Sequence, residues 1–168
     1  MSNMESIRIS GITTESFVDG DGIRYVIFTQ GCPHHCPGCH NPSTHSFDGG
    51  KLVSLLDIIK DIRQNAEYID GITLSGGEPF CQPYQCSIIA REARKLGLSV
   101  WCYTGYSFED LREKKDALAL LKFVDVLVDG PFILEERSLD LDFRGSRNQR
   151  LIDVHKSSEK AVTTLDHI

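Results

Sequence analysis

The stretch IRYVIFTQGCPHHCPGCHNPST, Ile23–Thr44, decides how the chain is read. Its first eight residues, Ile23 to Gln30, are dense in β-branched and aromatic side chains and predict a buried strand. The strand runs straight into a loop carrying Cys32, Cys36 and Cys39, where Pro33, Pro37 and Gly38 favour turns. A buried strand that hands its C-terminal end to a loop of thiols fits a sheet whose chemistry lies at one edge.

The same pattern recurs along the chain. Ile72–Leu74 reads as a strand that breaks at Gly76-Gly77, LSVWCYT as another, and VDVLVDG as a fourth ending at Asp129-Gly130. Between them, Leu55, Ile58, Ile59, Ile62 and Ala66 share a helix spacing, with Ser54 and Asp57 as a capping signal. Cys86, Ile89, Ala90, Ala93 and Leu96 define a second helix that Gly97 stops, and Ser107 with Asp110 caps a short third. A terminal strand is expected near Arg150–Val154, and the final ten or so residues are expected to fray. Strands alternating with helices predict an α/β fold with mainly parallel strands and right-handed crossovers. At 168 residues the chain falls short of the ~250 of a full eight-unit barrel, so a partial, open β/α barrel in a single domain, 1–168, is expected. Cys32, Gly76-Gly77-Glu78, Thr104 and Asp129 then gather at one edge of the sheet.

Composition narrows the function. Apolar content of 40% and charged content of 25% fit a soluble globular protein, and a net charge of −6 argues against nucleic-acid binding. The opening MSNMESIRIS has no apolar leader core, and no run approaches the ~20 apolar residues of a membrane span. The expectation is a cytoplasmic protein with no membrane association. In that compartment thiols stay reduced, so six cysteines point to metal or redox chemistry rather than bridges.

The C-x3-C-x2-C spacing suits an iron–sulfur cluster. A [4Fe–4S] cluster normally takes four thiolates, so three leave one iron free for an exogenous ligand. A structural zinc ion with His34, His35 or His40 as fourth ligand is the alternative; spacing alone favours iron–sulfur. His34 and His35 otherwise read as exposed loop residues, and Cys86 and Cys102 as buried core thiols. Cys81, after the glycine turn, is left undecided.

With the turn SGGEP at the next strand end, the cysteine loop resembles the radical S-adenosylmethionine (SAM) superfamily. VDGDGIRYVIFTQGC, CHNPST, SGGEP, TGY, LVDGPF and RGSRNQR together are similar to the family of activating proteins of the anaerobic (class III) ribonucleoside-triphosphate reductase. The likeness spans Val18 to Arg150. It implies a [4Fe–4S] cluster on Cys32, Cys36 and Cys39 as the catalytic and metal-binding set, with SAM on the open iron. Reductive cleavage of SAM to a 5′-deoxyadenosyl radical would generate a glycyl radical on the large subunit of the reductase, with flavodoxin or ferredoxin as electron donor. The cofactor-binding set implied is Gly38, Cys39 and His40 at the adenine, Ser75, Gly76, Gly77 and Glu78 at the amino-acid end, and Thr104 and Asp129 near the methionine moiety. Gly76 and Gly77 would let backbone approach the ligand. Arg24, Arg144 and Asn148 are candidates for orienting SAM or the partner. Gly38 stands where many relatives carry an aromatic residue, and Pro131 where the pyruvate formate-lyase type has lysine. Only three further cysteines remain, too few for a ferredoxin insert. The alternatives are the activase of another glycyl-radical enzyme, such as pyruvate formate-lyase, and a small zinc-binding module.

Overall fold

The computed structural model describes residues 5–157 and 161–165. Among them, seven strands form one open sheet: β1 (Ser6–Ser16), β2 (Arg24–Thr29), β3 (Lys51–Ser54), β4 (Gly71–Gly76), β5 (Ser99–Tyr103), β6 (Val126–Asp129) and β7 (Arg150–Asp153). Their spatial order is β3-β1-β2-β4-β5-β6-β7. The four central strands are parallel; β1 on β2, β3 on β1 and β7 on β6 are antiparallel. The expected parallel arrangement therefore holds at the centre and is corrected at both edges. Only Phe17–Ile23 joins β1 to β2, too short for the crossover of a dozen or more residues that parallel neighbours need.

Helices α1 (Leu55–Asn65), α2 (Pro83–Lys95), α3 (Phe108–Leu111) and α4 (Lys115–Leu121) follow the strands in turn. Strand residues alternate between two cores, as a period of two requires. Tyr25, Ile27, Leu74, Cys102 and Leu127 meet Ile58, Ile89 and Leu120 in the main core. Their neighbours Trp101, Val128 and Leu151 turn the other way and pack with Phe143 and Leu165. Leu55, Ile58, Ile59 and Ile62 are the buried stripe of α1. Each such side chain contributes about 1.5–3 kcal/mol on burial, which is what holds this helix to the sheet.

Helix ends match the expectations except at one point. Gly97, at φ +78°, follows α2; its N–H donates to Arg94 O, and Leu98 N–H donates to Ala93 O, a Schellman stop. Ser107 accepts from Asp110 N and caps α3. Ser54 makes no side-chain cap bond, because it still belongs to β3; Leu55 N–H donates instead to Glu5 O. The tail is not wholly frayed: Thr164 bridges to Ile152, and Leu165 N–H donates to Leu151 O. Other residues of the expected frayed tail, 159, 160 and 166–168, lie outside the described residues, as does the start of the segment read for a leader. No helix among the described residues is long and apolar enough to cross a membrane.

Candidate functional site

The C-terminal ends of β2, β4, β5 and β6 border a cavity of about 640 Å³. Cys32, Cys36 and Cys39 line it, together with His40, Ser75, Gly76, Gly77 and Thr104. The connection after β1 adds Phe17 and Val18, and the segment after β6 adds Phe132 and Leu141–Gly145.

The cysteine loop is pinned at its root and held in a turn further on. Gly31 N–H donates to Thr44 O at 2.7 Å, and Cys32 N–H to His45 O at 3.1 Å. Cys39 N–H donates to Cys36 O at 3.0 Å, turning the second and third thiols round one corner. Gly38 has φ +76°, and a Cβ there would lie 2.8 Å from Leu134 Cδ1, so this position suits glycine on two counts. Cys32 is buried, which pushes its thiol above the ordinary value. Cys36 and Cys39 are half-buried.

The glycine turn does a job that its sequence does not announce. A Cβ on Gly76 would sit 2.4 Å from Thr29 N, and one on Gly77 would sit 2.5 Å from Gly31 O. Gly77 N–H donates to Thr29 O and Glu78 N–H to Gly31 O, both at 2.8 Å. The two glycines thus allow the β4 turn to cross the root of the cysteine loop in backbone contact. Closeness to the protein's own chain, not only to a ligand, requires them.

Beneath this crossing lies Glu78, fully buried and outside the cavity lining. Its Oε1 accepts from Gly105 N at 2.8 Å, its Oε2 from Phe80 N at 3.1 Å, and the Thr104 hydroxyl lies 2.9 Å from both oxygens. His34 Nε2 is 2.6 Å from Oε1. His34, expected in solvent, is instead half-buried, its ring centroid 4.5 Å from that of Tyr106. A Cβ on Gly105 would strike that ring at 2.4 Å. One carboxylate therefore ties together the cysteine loop, the glycine turn and the loop after β5.

Asp129 is likewise buried and does not line the cavity. It accepts from Phe108 N at 2.9 Å and from Arg150 Nε at 3.0 Å. Arg150 also reaches Glu109 at 2.7 Å; the pairing raises Arg150 and holds Glu109 below the usual carboxylate range. Arg24 lies near the opposite ends of the strands. It donates to Thr73, Asp21, Ile72 and Ser99, and its guanidinium stands 5.5 Å from the Trp101 ring centroid. Burial pulls it down to about 10. Asn148 donates to Pro131 O at 2.8 Å, and Arg144 lines the cavity.

Cys86 and Cys102 are fully buried, and burial pushes both thiols up; Cys81 is exposed and lies outside the cavity lining. Among the described residues, no three His, Cys, Asp or Glu side chains close on a site for one metal ion. The three loop thiols instead share the wall of a cavity with room for a cluster and a nucleoside-sized ligand beside it. The residues present fit a [4Fe–4S] group.

Sequence reasoning missed the apolar wall. Phe17, Val18, Phe132 and Phe143 line the cavity from segments without regular periodicity, and only the fold brings them there.

A family model described as a 4Fe-4S single cluster domain matches residues 18–152. The chain is 38% identical over 144 residues to the anaerobic ribonucleoside-triphosphate reductase-activating protein of Enterobacteria phage T4, covering 80% of this chain and 86% of that protein. It is 33% identical over 140 residues to the protein of the same name from Escherichia coli K12, covering 79% and 89%. The crystal structure of QueE from Escherichia coli is similar over 60% of this chain and 52% of its own, at 18% identity and a TM-score of 0.44.

Proposed function

The chain belongs to the 4Fe-4S single cluster domain family and to the family of anaerobic ribonucleoside-triphosphate reductase-activating proteins, and from that premise we propose how its residues carry the activation. Cys32, Cys36 and Cys39 would hold a [4Fe–4S] cluster, which would supply the single electron for reductive cleavage of SAM and so for hydrogen-atom removal from a glycine of the reductase. The protein's own part is to hold, orient and exclude. Gly38, Cys39 and His40 meet the adenine through backbone groups. Ser75, Gly76 and Gly77 form the floor under the amino-acid end, and Thr104 borders the methionine moiety. Glu78 and Asp129 act from below as positioning residues: Glu78 fixes Thr104 and the cysteine loop, and Asp129 fixes the start of α3. Phe132 gives the cavity an apolar wall, and Phe17 and Val18 stand exposed at its edge.

The observation that carries this reading is that three thiols, the glycine turn and Thr104 line one cavity at the C-terminal edge of the parallel strands. The sheet is read as a partial β/α barrel in one domain, the electron donor as flavodoxin or ferredoxin, and the compartment as the cytoplasm. Nucleic acid and membrane have no part in it.

The test is anaerobic reconstitution with iron and sulfide, reduction, and assay of 5′-deoxyadenosine with and without the reductase. Product is expected from the parent and from Cys86→Ala, and none from Cys36→Ala. A glycyl-radical signal on the reductase completes the reading. A cluster-loaded protein that forms no 5′-deoxyadenosine even with the reductase present would defeat it.

A further inference from the structure

The cysteine loop holds one residue in a backbone conformation that the assignments above do not explain. His35 has φ +48°, in the left-handed region that a residue with a Cβ enters only at a cost. Such strain beside a functional site calls for a local reason. The sequence there is Cys-Pro-His-His-Cys, and Pro33 has no N–H, so the first backbone donors after Cys32 belong to His34 and His35. A left-handed residue in a turn lets successive N–H groups face one side, a concavity that takes anions and recurs at iron–sulfur sites. Cys32 Sγ lies against these two donors. Burial pushes its thiol up, and the N–H groups of His34 and His35 act against that by hydrogen bonding to the sulfur. A bond of the same kind recurs at the third thiol, where Asn41 N–H donates to Cys39 Sγ at 3.4 Å.

The His34 side chain anchors this turn. Its Nε2 lies 2.6 Å from Glu78 Oε1, and because a carboxylate only accepts, Nε2 carries the hydrogen. Tyr106 packs edge-on against the ring, with 4.5 Å between centroids. Gly105 leaves the ring its room, since a Cβ there would lie 2.4 Å from His34 Cδ2. Glu78 is itself fully buried and held by Gly105 N, Phe80 N and the Thr104 hydroxyl, so the anchor point is fixed. With the ring held on three sides, the backbone of His34 has little room to turn, and the two N–H groups keep their aim. Hydrogen bonds from N–H groups to a ligand sulfur favour the more negative, reduced state of a cluster and so raise its potential.

We propose that His34 is a positioning residue for the cluster: anchored on Glu78, it aims the backbone N–H groups of His34 and His35 at Cys32 Sγ and so raises the reduction potential of a cluster held there. This role rests on the cluster reading given above and adds a residue outside the ligand set that makes the cluster easier to reduce.

The experiment measures a potential rather than turnover. Full-length protein is reconstituted without oxygen, and redox titrations followed by electron paramagnetic resonance are run without SAM or reductase. The parent is compared with His34→Ala, His34→Asn and His34→Gln, with iron content and circular dichroism checked for each. A glutamine amide reaches as far as Nε2 and can donate to Glu78, whereas an asparagine amide stops where Nδ1 stands. Glutamine is also neutral, so rescue by it separates the bond from any charge on the ring. Freeing the turn loses about one charge-assisted bond to sulfur, so His34→Ala and His34→Asn should move the one-electron equilibrium about tenfold against reduction, which is about 59 mV more negative. His34→Gln should keep the parent's potential. Alanine and asparagine variants at the parent's potential, or a glutamine variant that falls as far as they do, overturn the assignment. If the alanine and asparagine variants hold no iron, the glutamine variant decides: the parent's potential upholds the anchor, and a shifted potential or a lost cluster overturns it. A reconstituted parent without a cluster would sink the cluster reading and this inference with it, whereas a loaded parent whose potential no variant moves sinks only the inference.

Discussion

Replacing Glu78 by glutamine removes a charge and almost no volume, so it tests the loop junction directly. Two backbone donors rest on different oxygens of this carboxylate, Gly105 N on Oε1 and Phe80 N on Oε2. An amide offers one oxygen. Whichever way it turns, one of those N–H groups faces an NH2 and loses its acceptor. A buried N–H left alone costs about 1–3 kcal/mol, and the surviving bonds lose their charge assistance, about 1 kcal/mol more. The cofactor-free protein should therefore lose about 2–4 kcal/mol. With a urea slope of about 2 kcal/mol per molar, the unfolding midpoint falls by about 1–2 M. The assay is urea denaturation followed by tryptophan fluorescence, without iron and under reductant, so that cluster and SAM binding do not enter the number. Trp101, buried among β5 and its neighbours, is the probe. A midpoint within about 0.3 M of the parent, together with weakened SAM binding, would refute the reasoning. Glu78 would then be a ligand contact rather than the tie between three loops.

Gly76→Ala should be more damaging than its size suggests, because φ is +95° and the new Cβ would lie 2.4 Å from backbone nitrogen of Thr29, which cannot swing aside. A loss of about 3 kcal/mol would lower Tm by about 6–12 °C, and a Tm within about 2 °C of the parent would contradict the backbone crossing. Beside the other positioning carboxylate, Asp129, Arg150 also holds Glu109 below its ordinary value. A depressed carboxylate stabilises the fold above its unfolded value of about 4.3, and the contribution is lost as pH falls through the folded value. Glu109→Gln should therefore unfold at lower urea than the parent at pH 7, with the gap narrowing as pH falls below about 4.3; a gap that stays the same size on acidification would count against the ion pair.

Much of the fold was legible because the chain repeats one sentence: apolar strand, special residue at its end, amphipathic helix. β2 and β6 bury residues on both faces and so read as near-continuous apolar runs, which composition alone detects. The antiparallel edges left a weaker trace. β1 buries Ile7 and Ile9 in its first half but is mostly polar beyond them, and β3 is four residues long with no buried member. An edge strand gains its place by pairing with an existing sheet, and its own side chains need say little. The segment from Gly130 to Gln149 has no periodic pattern, because its order comes from Gln149, Asn148 and Ser146 bonding to backbone. Those partners become visible only once the chain has folded back on itself.

The site was legible to different depths for a physical reason. Cys32, Cys36 and Cys39 are neighbours in sequence, so their common purpose is readable from spacing alone. Glu78 and Asp129 were placed at the right edge of the sheet, but which way each carboxylate turns depends on donors 21 to 27 residues away: Thr104 and Gly105 for one, Phe108 and Arg150 for the other. A carboxylate at a strand end has two outlets, the cavity or the adjoining loop. The outlet with more fixed donors takes it, since each charge-assisted bond contributes about 1.5–3 kcal/mol and an unpaired buried charge costs far more. Gly105 N, Phe80 N and the Thr104 hydroxyl already surround Glu78, so a ligand ammonium would have to displace bonds that hold the loops themselves. In this cavity, the groups that the protein has already satisfied set its shape.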